Sequence, residues 1–261
     1  MKIATWNVNS LRVRIAHVCD WLNATQVDLL ALQELKLVDD KFPKAELEAI
    51  GYHCYYVGQP TYNGVAILSR MDSLGSAHAV EIGNPHFPDE QKRLVRTRFE
   101  CFDFLSAYVP NGQSLDSDKY IYKLAWLDGL IQYMKQLKGQ PDAKPLVLAG
   151  DFNIAPESID THDPAKWEGQ IFCSPPERAR FQELIALGLI DSFRAFEQAP
   201  KSFTWWDYRE LGFRKNAGLR IDHILVDTTL RNALKASHID KAPRKLEKPS
   251  DHTPVVTELM L

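Results

Sequence analysis

Short β-type runs, spaced with few helices between them, constrain this chain more than any other feature. Apolar, β-branched and aromatic residues cluster at 2–8, 27–32, 52–57, 64–69, 94–99, 102–109, 146–149, 221–226 and 253–259. These are strand lengths, and turn-forming residues flank most of the runs. Helical period appears only over 12–22, 118–137 and 176–187. The second of these opens on Ser117-Asp118 and the third on Ser174-Pro175-Pro176-Glu177, both helix-start signals. A doubly wound parallel sheet needs a helix after nearly every strand, and this chain lacks them. The pattern predicts an α/β protein with two β-sheets packed face to face and helices on their outer faces. No Gly/Ser-rich or Pro-rich linker and no fixed repeat interrupts the 261 residues, so one domain is expected over 1–261.

Composition removes several function classes. At 45% hydrophobic and 25% charged residues the chain is neither collagen-like, disordered nor a disulfide scaffold. With 31 Lys and Arg against 34 Asp and Glu the net charge is −3, so no global positive field draws it onto a polyanion. A local excess does exist: residues 209–248 hold ten Lys and Arg against five Asp and Glu, a net of +5. The four cysteines are far apart with no C-x-x-C pair, which predicts buried free thiols. The start Met1-Lys2-Ile3-Ala4-Thr5-Trp6-Asn7 has no apolar leader, and no run approaches the roughly 18 apolar residues that span a bilayer. A reduced, cytoplasmic, soluble protein is expected, and with no heptad repeat a monomer.

Three apolar runs break off into polar residues at their C-terminal ends. Ile3 to Trp6 leads into Asn7, Leu29 to Leu32 into Gln33-Glu34, and Leu146 to Gly150 into Asp151-Phe152-Asn153. Strand ends are rigid supports for polar groups. One acidic residue after a strand is usually a turn former; three in the same relation point to a shared site. The ligands offered are hard oxygens from Asn7, Glu34 and Asp151 with no zinc-spaced Cys or His, which favours Mg²⁺, with Mn²⁺ as the alternative. Near the end of the chain, Asp251-His252 precedes a final apolar run, and Arg220-Ile221-Asp222-His223 stands upstream. If Asp222 binds one imidazole nitrogen of His252, the other is aimed at substrate and the ring is favoured as a cation.

The ordered set Thr5-Trp6-Asn7-Val8-Asn9-Ser10-Leu11-Arg12, Leu32-Gln33-Glu34, Tyr62-Asn63-Gly64, Tyr108-Val109-Pro110-Asn111, Gly150-Asp151-Phe152-Asn153, Trp205-Trp206-Asp207-Tyr208-Arg209, Gly218-Leu219-Arg220-Ile221-Asp222 and Ser250-Asp251-His252 resembles the exonuclease III family of AP endonucleases, within the endonuclease/exonuclease/phosphatase superfamily. The resemblance covers nearly the whole chain. It implies a four-layer α/β sandwich with two mixed sheets, a divalent metal, and in-line hydrolysis of DNA phosphodiesters by water. Glu34 then resembles the principal metal ligand, with Asn7 and Asp251 near the metal. Asp151 resembles the residue that orients or deprotonates water, and it can also touch the metal; Asn153 supports it. Tyr108 would contact the scissile phosphate, Asn111 would flank it, and His252 with Asp222 would stabilise the transition state.

The same resemblance makes Trp205, Leu219 and Ile221 the walls of a pocket for an extruded baseless sugar. Some relatives carry Trp at the position of Leu219, which predicts a roomier pocket here. Bulky Phe172 and Cys173 predict the opposite, a narrowed cleft that prefers a 3′-phosphate. Phosphate contacts are expected from Arg93, Lys119, Lys123, Arg209 and Arg220. The partner implied is duplex DNA with abasic sites, nicks or blocked 3′ ends. Alternatives are a 3′-phosphatase or 3′-phosphodiesterase with little abasic incision, a less specific phosphoesterase of the superfamily, or a binding module that has kept the fold without catalysis. The clustered carboxylates argue against the last, because a module that only binds phosphate has no use for them.

Overall fold

Alternation along the strands decides how the layers stack. The structure, a computed structural model, describes residues 1–261. Its strands are β1 (Lys2–Asn7), β2 (Leu29–Gln33), β3 (Tyr52–Val57), β4 (Val65–Arg70), β5 (Ala79–Ile82), β6 (Leu94–Arg98), β7 (Asp103–Tyr108), β8 (Leu146–Asp151), β9 (Leu189–Asp191), β10 (Asp222–Asp227), β11 (Leu234–Ile239) and β12 (Val255–Leu259). They form two six-stranded sheets, ordered β11-β12-β1-β2-β4-β3 and β5-β6-β7-β8-β10-β9. Each sheet is mixed. Pairs β1/β2 and β7/β8 are parallel, and every other pairing is antiparallel. A parallel pair needs a crossover, and the helices Leu11–Thr25 and Asp118–Lys138 supply the two.

Three apolar clusters fill the spaces between the four layers. Ile3, Leu29, Ala31, Phe104, Val147, Ala149, Ile224 and Val226 pack between the sheets. Ala4, Trp6, Leu30 and Leu32 face the Leu11–Thr25 helix through Val18 and Leu22. Leu105, Ala107 and Leu148 face Trp126, Leu130 and Phe181 of the helices Asp118–Lys138 and Pro175–Ala186. The expected α/β sandwich is the observed one.

The sequence pattern does not predict β5, β9 or β11. All four residues of β5 are exposed on a sheet edge, so they carry no in/out alternation; β9 has three residues; and β11 is an edge strand with a single buried residue. Of the four free cysteines only Cys173 is buried; Cys19 and Cys54 are half-buried and Cys101 is exposed, so burial of all four thiols does not hold.

Candidate active site

The inward-facing positions of five strands run out of apolar residues at the same end of the sandwich. In β1 the inward series continues from Ile3 through Thr5 to Asn7, and in β2 from Leu29 through Ala31 to Gln33. In the facing sheet, Tyr108 of β7 pairs with Asp151 of β8, and Asp151 pairs with Asp222 of β10, so strand register alone sets three site residues side by side. Thr5 Oγ1 donates to Gln33 Oε1 and Gln33 Nε2 donates to Ser106 Oγ, a buried polar layer between the inter-sheet core and the site. Gly150 is required beside Asp151, since a Cβ there would stand 1.9 Å from the Ala107 carbonyl oxygen.

Asn7 joins the two sheets. Its Nδ2 donates to Glu34 Oε1 at 2.8 Å and to Asp151 Oδ2 at 2.9 Å, while its Oδ1 accepts from the Asn9 amide. Tyr108 OH donates to Glu34 Oε1 at 2.9 Å, and Lys36 Nζ pairs with Glu34 Oε2 at 2.8 Å. Asn153 N donates to Asp151 Oδ1 at 2.9 Å and Asn153 Nδ2 to Asp151 Oδ2 at 3.3 Å. On the far side His252 Nδ1 bonds Asp222 Oδ2 at 2.9 Å, and His252 Nε2 faces Asp151 Oδ2 at 3.8 Å. Thr204 Oγ1 accepts from the Asp222 amide and locks the end of β10.

The charges follow from burial and neighbours. Burial pushes the Asp151 carboxyl up to about 7, with His252 pulling it back and Asp222 pushing it further. Burial alone would lower the His252 imidazolium, but Asp222 and then Asp151 outweigh it and bring it to about 10, a cation at neutral pH. For Glu34 burial opposes ionisation, yet Lys36 and the Asn7 amide hold its carboxyl below the usual range. Burial, with Glu34 and Asp151 adding to it, holds the Tyr108 phenol well above its ordinary value, so it remains a donor.

Glu34, Asp151 and His252 each bring one ligand atom to within 4.8 Å of the others. Two carboxylates that share one amide group, with no thiolate nearby, are a donor set suited to a hard divalent cation. Two expected ligands lie otherwise. The Asn7 oxygen is turned to the Asn9 amide. Asp251 accepts from Asn9 Nδ2 and Trp205 Nε1, each at 3.0 Å, and stands outside the group of three.

The expected phosphate contacts divide. Lys119 and Arg209 are exposed, although Arg209 pairs with Asp207. Asn111 is exposed and donates to Asn153 Oδ1 at 3.4 Å. Arg93 is nearly buried, its guanidinium 4.8 Å from the centre of the Tyr108 ring and bonded to the Tyr108 carbonyl. Lys123 and Arg220 do not reach the surface at all. Lys123 pairs with Glu177, and Arg220 pairs with Asp160 at 2.7 Å and Asp191 at 2.8 Å. A buried cation takes a buried carboxylate as partner, which leaves it no open face for phosphate.

The roomy pocket is also corrected. Leu219 and Ile221 are completely buried in a cluster with Ala155, Phe172 and Cys173, against which Trp205 and Trp167 pack. The Phe172 ring centre lies 6.2 Å from each of the Trp205 and Trp167 rings, and Phe172 belongs to the same buried cluster as Leu219 and Ile221. Phe172 takes the left-handed backbone with φ of 70°, a conformation a bulky residue adopts only when its surroundings impose it. Sequence reasoning missed Lys36, Asn9 and Thr204; only Lys36, two residues after Glu34, carried a signal.

Two facing sheets converge carboxylates, an imidazole and a phenol on one point, a set of groups suited to hydrolysis of a phosphoester. The endonuclease/exonuclease/phosphatase family model matches residues 4–252, and the chain belongs to this family. Full-length similarity places it with the exonuclease III-type nucleases. It is 35% identical over 270 residues to exodeoxyribonuclease III of Haemophilus influenzae, covering 99% of each chain. It matches the 3′ phosphatase NExo from Neisseria, bound to a product DNA hairpin, with a TM-score of 0.94 and 44% identity over 100% of both chains. It matches an AP endonuclease from Archaeoglobus fulgidus with a TM-score of 0.92 and 36% identity, again over 100% of both.

Proposed function

We propose that this chain is a Mg²⁺-dependent DNA repair nuclease that removes phosphate and small blocking groups from 3′ ends in duplex DNA, and incises abasic sites much more slowly. The observation that carries the preference is the burial of Phe172 in one closed apolar cluster with Leu219 and Ile221, its ring beside that of Trp205. An internal abasic linkage has a deoxyribose beyond the scissile phosphorus and needs a pocket for it. A 3′-phosphate has only oxygens there and needs none.

Glu34 and Asp151 would hold the ion, whose chemistry is to polarise a phosphoryl oxygen and stabilise charge on it. Asp151 orients the attacking water and accepts its proton. Asn153 fixes both Asp151 oxygens. His252, held by Asp222 as a cation, faces the negative charge that builds on the phosphoryl oxygens, and the Tyr108 phenol donates to the phosphate. Water adds to phosphorus, the bond to the 3′ oxygen breaks, and the products are a 3′-hydroxyl and inorganic phosphate. Lys119, Arg209, Asn111 and Trp205 are the groups left at the rim to touch the DNA. Every site residue comes from one chain, the four thiols are free, and no helix is long and apolar enough to cross a membrane; a monomer working in the cytoplasm is part of the proposal.

Phe172→Ala tests the preference directly. Incision of a duplex with an internal abasic analogue is expected to rise about 10-fold or more, with 3′-phosphate release nearly unchanged. Unchanged incision would defeat the role given to Phe172. The electrostatics give a second test. Activity should fall as pH rises through the His252 value of about 10, and Asp222→Asn removes the largest contribution that raises it. The alkaline limb of the kcat/KM profile should then move toward neutrality by about one pH unit or more. A limb that stays in place would remove Asp222 from this role.

A further inference from the structure

Lys123 and Glu177 are both 0% exposed and form an ion pair beneath the site. Two buried charges need a reason, because an apolar pair of similar size is often as stable. Helix capping explains only part. Glu177 Oε2 accepts from the Ser174 amide at 3.0 Å and from Ser174 Oγ at 2.6 Å, the ordinary capping box of the Pro175–Ala186 helix. Its other oxygen, Oε1, accepts from the Phe172 amide at 3.1 Å and from Lys123 Nζ, which capping does not require.

Lys123 uses its ammonium the same way. Besides Glu177 it donates to the Asn153 carbonyl at 2.7 Å and the Asn111 carbonyl at 3.3 Å, so its three N–H groups meet three acceptors on three segments. Asn153 and Phe172, with φ of 49° and 70°, both hold the left-handed backbone, and the pair grips the carbonyl of one and the amide of the other. Gly112, at φ of 89°, lets the Asn111 segment close on them; a Cβ there would meet Ile171 Cδ1 and Lys123 Cδ at 3.0 Å each.

We propose that the Lys123–Glu177 pair is a positioning device that holds the Asn153 segment, and through it Asp151, at a fixed distance from the Phe172 segment that closes the pocket. One strut then sets both the rate of hydrolysis and the choice of substrate. The inference rests on the functional reading above for the reaction it tunes.

The test is the double variant Lys123→Met/Glu177→Gln, which removes both charges together and leaves neither buried alone. The kcat for 3′-phosphate release is expected to fall about 100-fold with KM nearly unchanged, since displacement of about 1 Å at a site costs that much. Amide hydrogen exchange at Asn153 and Phe172 should quicken together. Recovery of kcat to within about twofold of wild type, or a loss confined to KM, would overturn the proposal and leave a pair that only balances its own charge. Ser174→Ala is the milder probe. It removes one hydroxyl from Glu177, keeps both charges, and should quicken exchange at both segments less than the double variant does; a change at Phe172 with none at Asn153 in both variants would overturn the proposal. If the wild-type protein releases no 3′-phosphate, the functional reading fails, and exchange alone decides the pair: faster at both segments of the double variant supports it, unchanged rates refute it.

Discussion

Asp151→Asn is expected to lower turnover by about 10⁴-fold while the protein stays folded. Asparagine keeps the shape and can still accept from the Asn153 amide. It cannot take a proton from water, it offers one neutral oxygen in place of a carboxylate, and it removes the charge that His252 faces at 3.8 Å. Stability should move the other way. The Asp151 carboxyl is raised to about 7 in the folded protein from an ordinary 3.8, so the native state disfavours its ionised form. The stability of its neutral form is complete below the ordinary value and is lost as pH rises through about 7. In the presence of a chelator the variant should therefore melt above wild type at about pH 8 and close to it at about pH 4. Single-turnover rates and thermal melts check both halves. A rate within about tenfold of wild type would end the assignment.

His252→Asn is the second large effect, about 10³-fold in kcat, the scale on which a preorganised charge at the reacting oxygens counts. The loss should fall on kcat and barely on KM, because the imidazolium matters most once charge has built up on phosphate. The variant also strands Asp222, which is buried with His252 as its only cationic partner; removing one member of such a pair costs about 3–5 kcal/mol. His252→Asn/Asp222→Asn should recover most of that stability and none of the activity, which separates the two consequences. The linkage has its own sign. The folded value of about 10 lies above the ordinary 6.5, so this pair's stabilisation is complete below 6.5 and is lost as pH rises through about 10. Wild-type melting temperature should drop across that window, and the double variant should lack this drop.

Much of the site was legible because it lies where strands end. Asn7, Glu34 and Asp151 stand where apolar runs end, and pairing then sets Tyr108 and Asp151 in one row with Asp222, which opens β10. Sheet edges were not legible: Ala79–Ile82 has no buried side to impose a period, and the mostly unburied Leu234–Ile239 strand is defined by its neighbour β12 rather than by its own residues. Lys123 and Arg220 were misread as surface cations because their partners are remote. Glu177 is 54 positions from Lys123 and Asp160 is 60 from Arg220, so nothing local in the sequence names the carboxylate that buries either cation. For Asp251, adjacency to His252 in sequence fixes the backbone but not the side chain, whose bonds to the Trp205 indole and the Asn9 side-chain amide carry no signal in the sequence. The bulk of Phe172 was visible in the sequence. That it packs in one cluster with Leu219 and Ile221 depends on a left-handed turn held by Glu177, which only the packed structure reveals.

The most direct measurement gives the wild-type protein and Mg²⁺ two duplexes, one nicked with a 3′-phosphate and one with an internal abasic analogue, and compares kcat/KM. Release of phosphate should exceed incision by about 100-fold or more, the discrimination that a filled pocket imposes on a bulkier substrate. Incision equal to or faster than phosphate release would contradict the account, because it would require the space held by Phe172 to be open to a sugar.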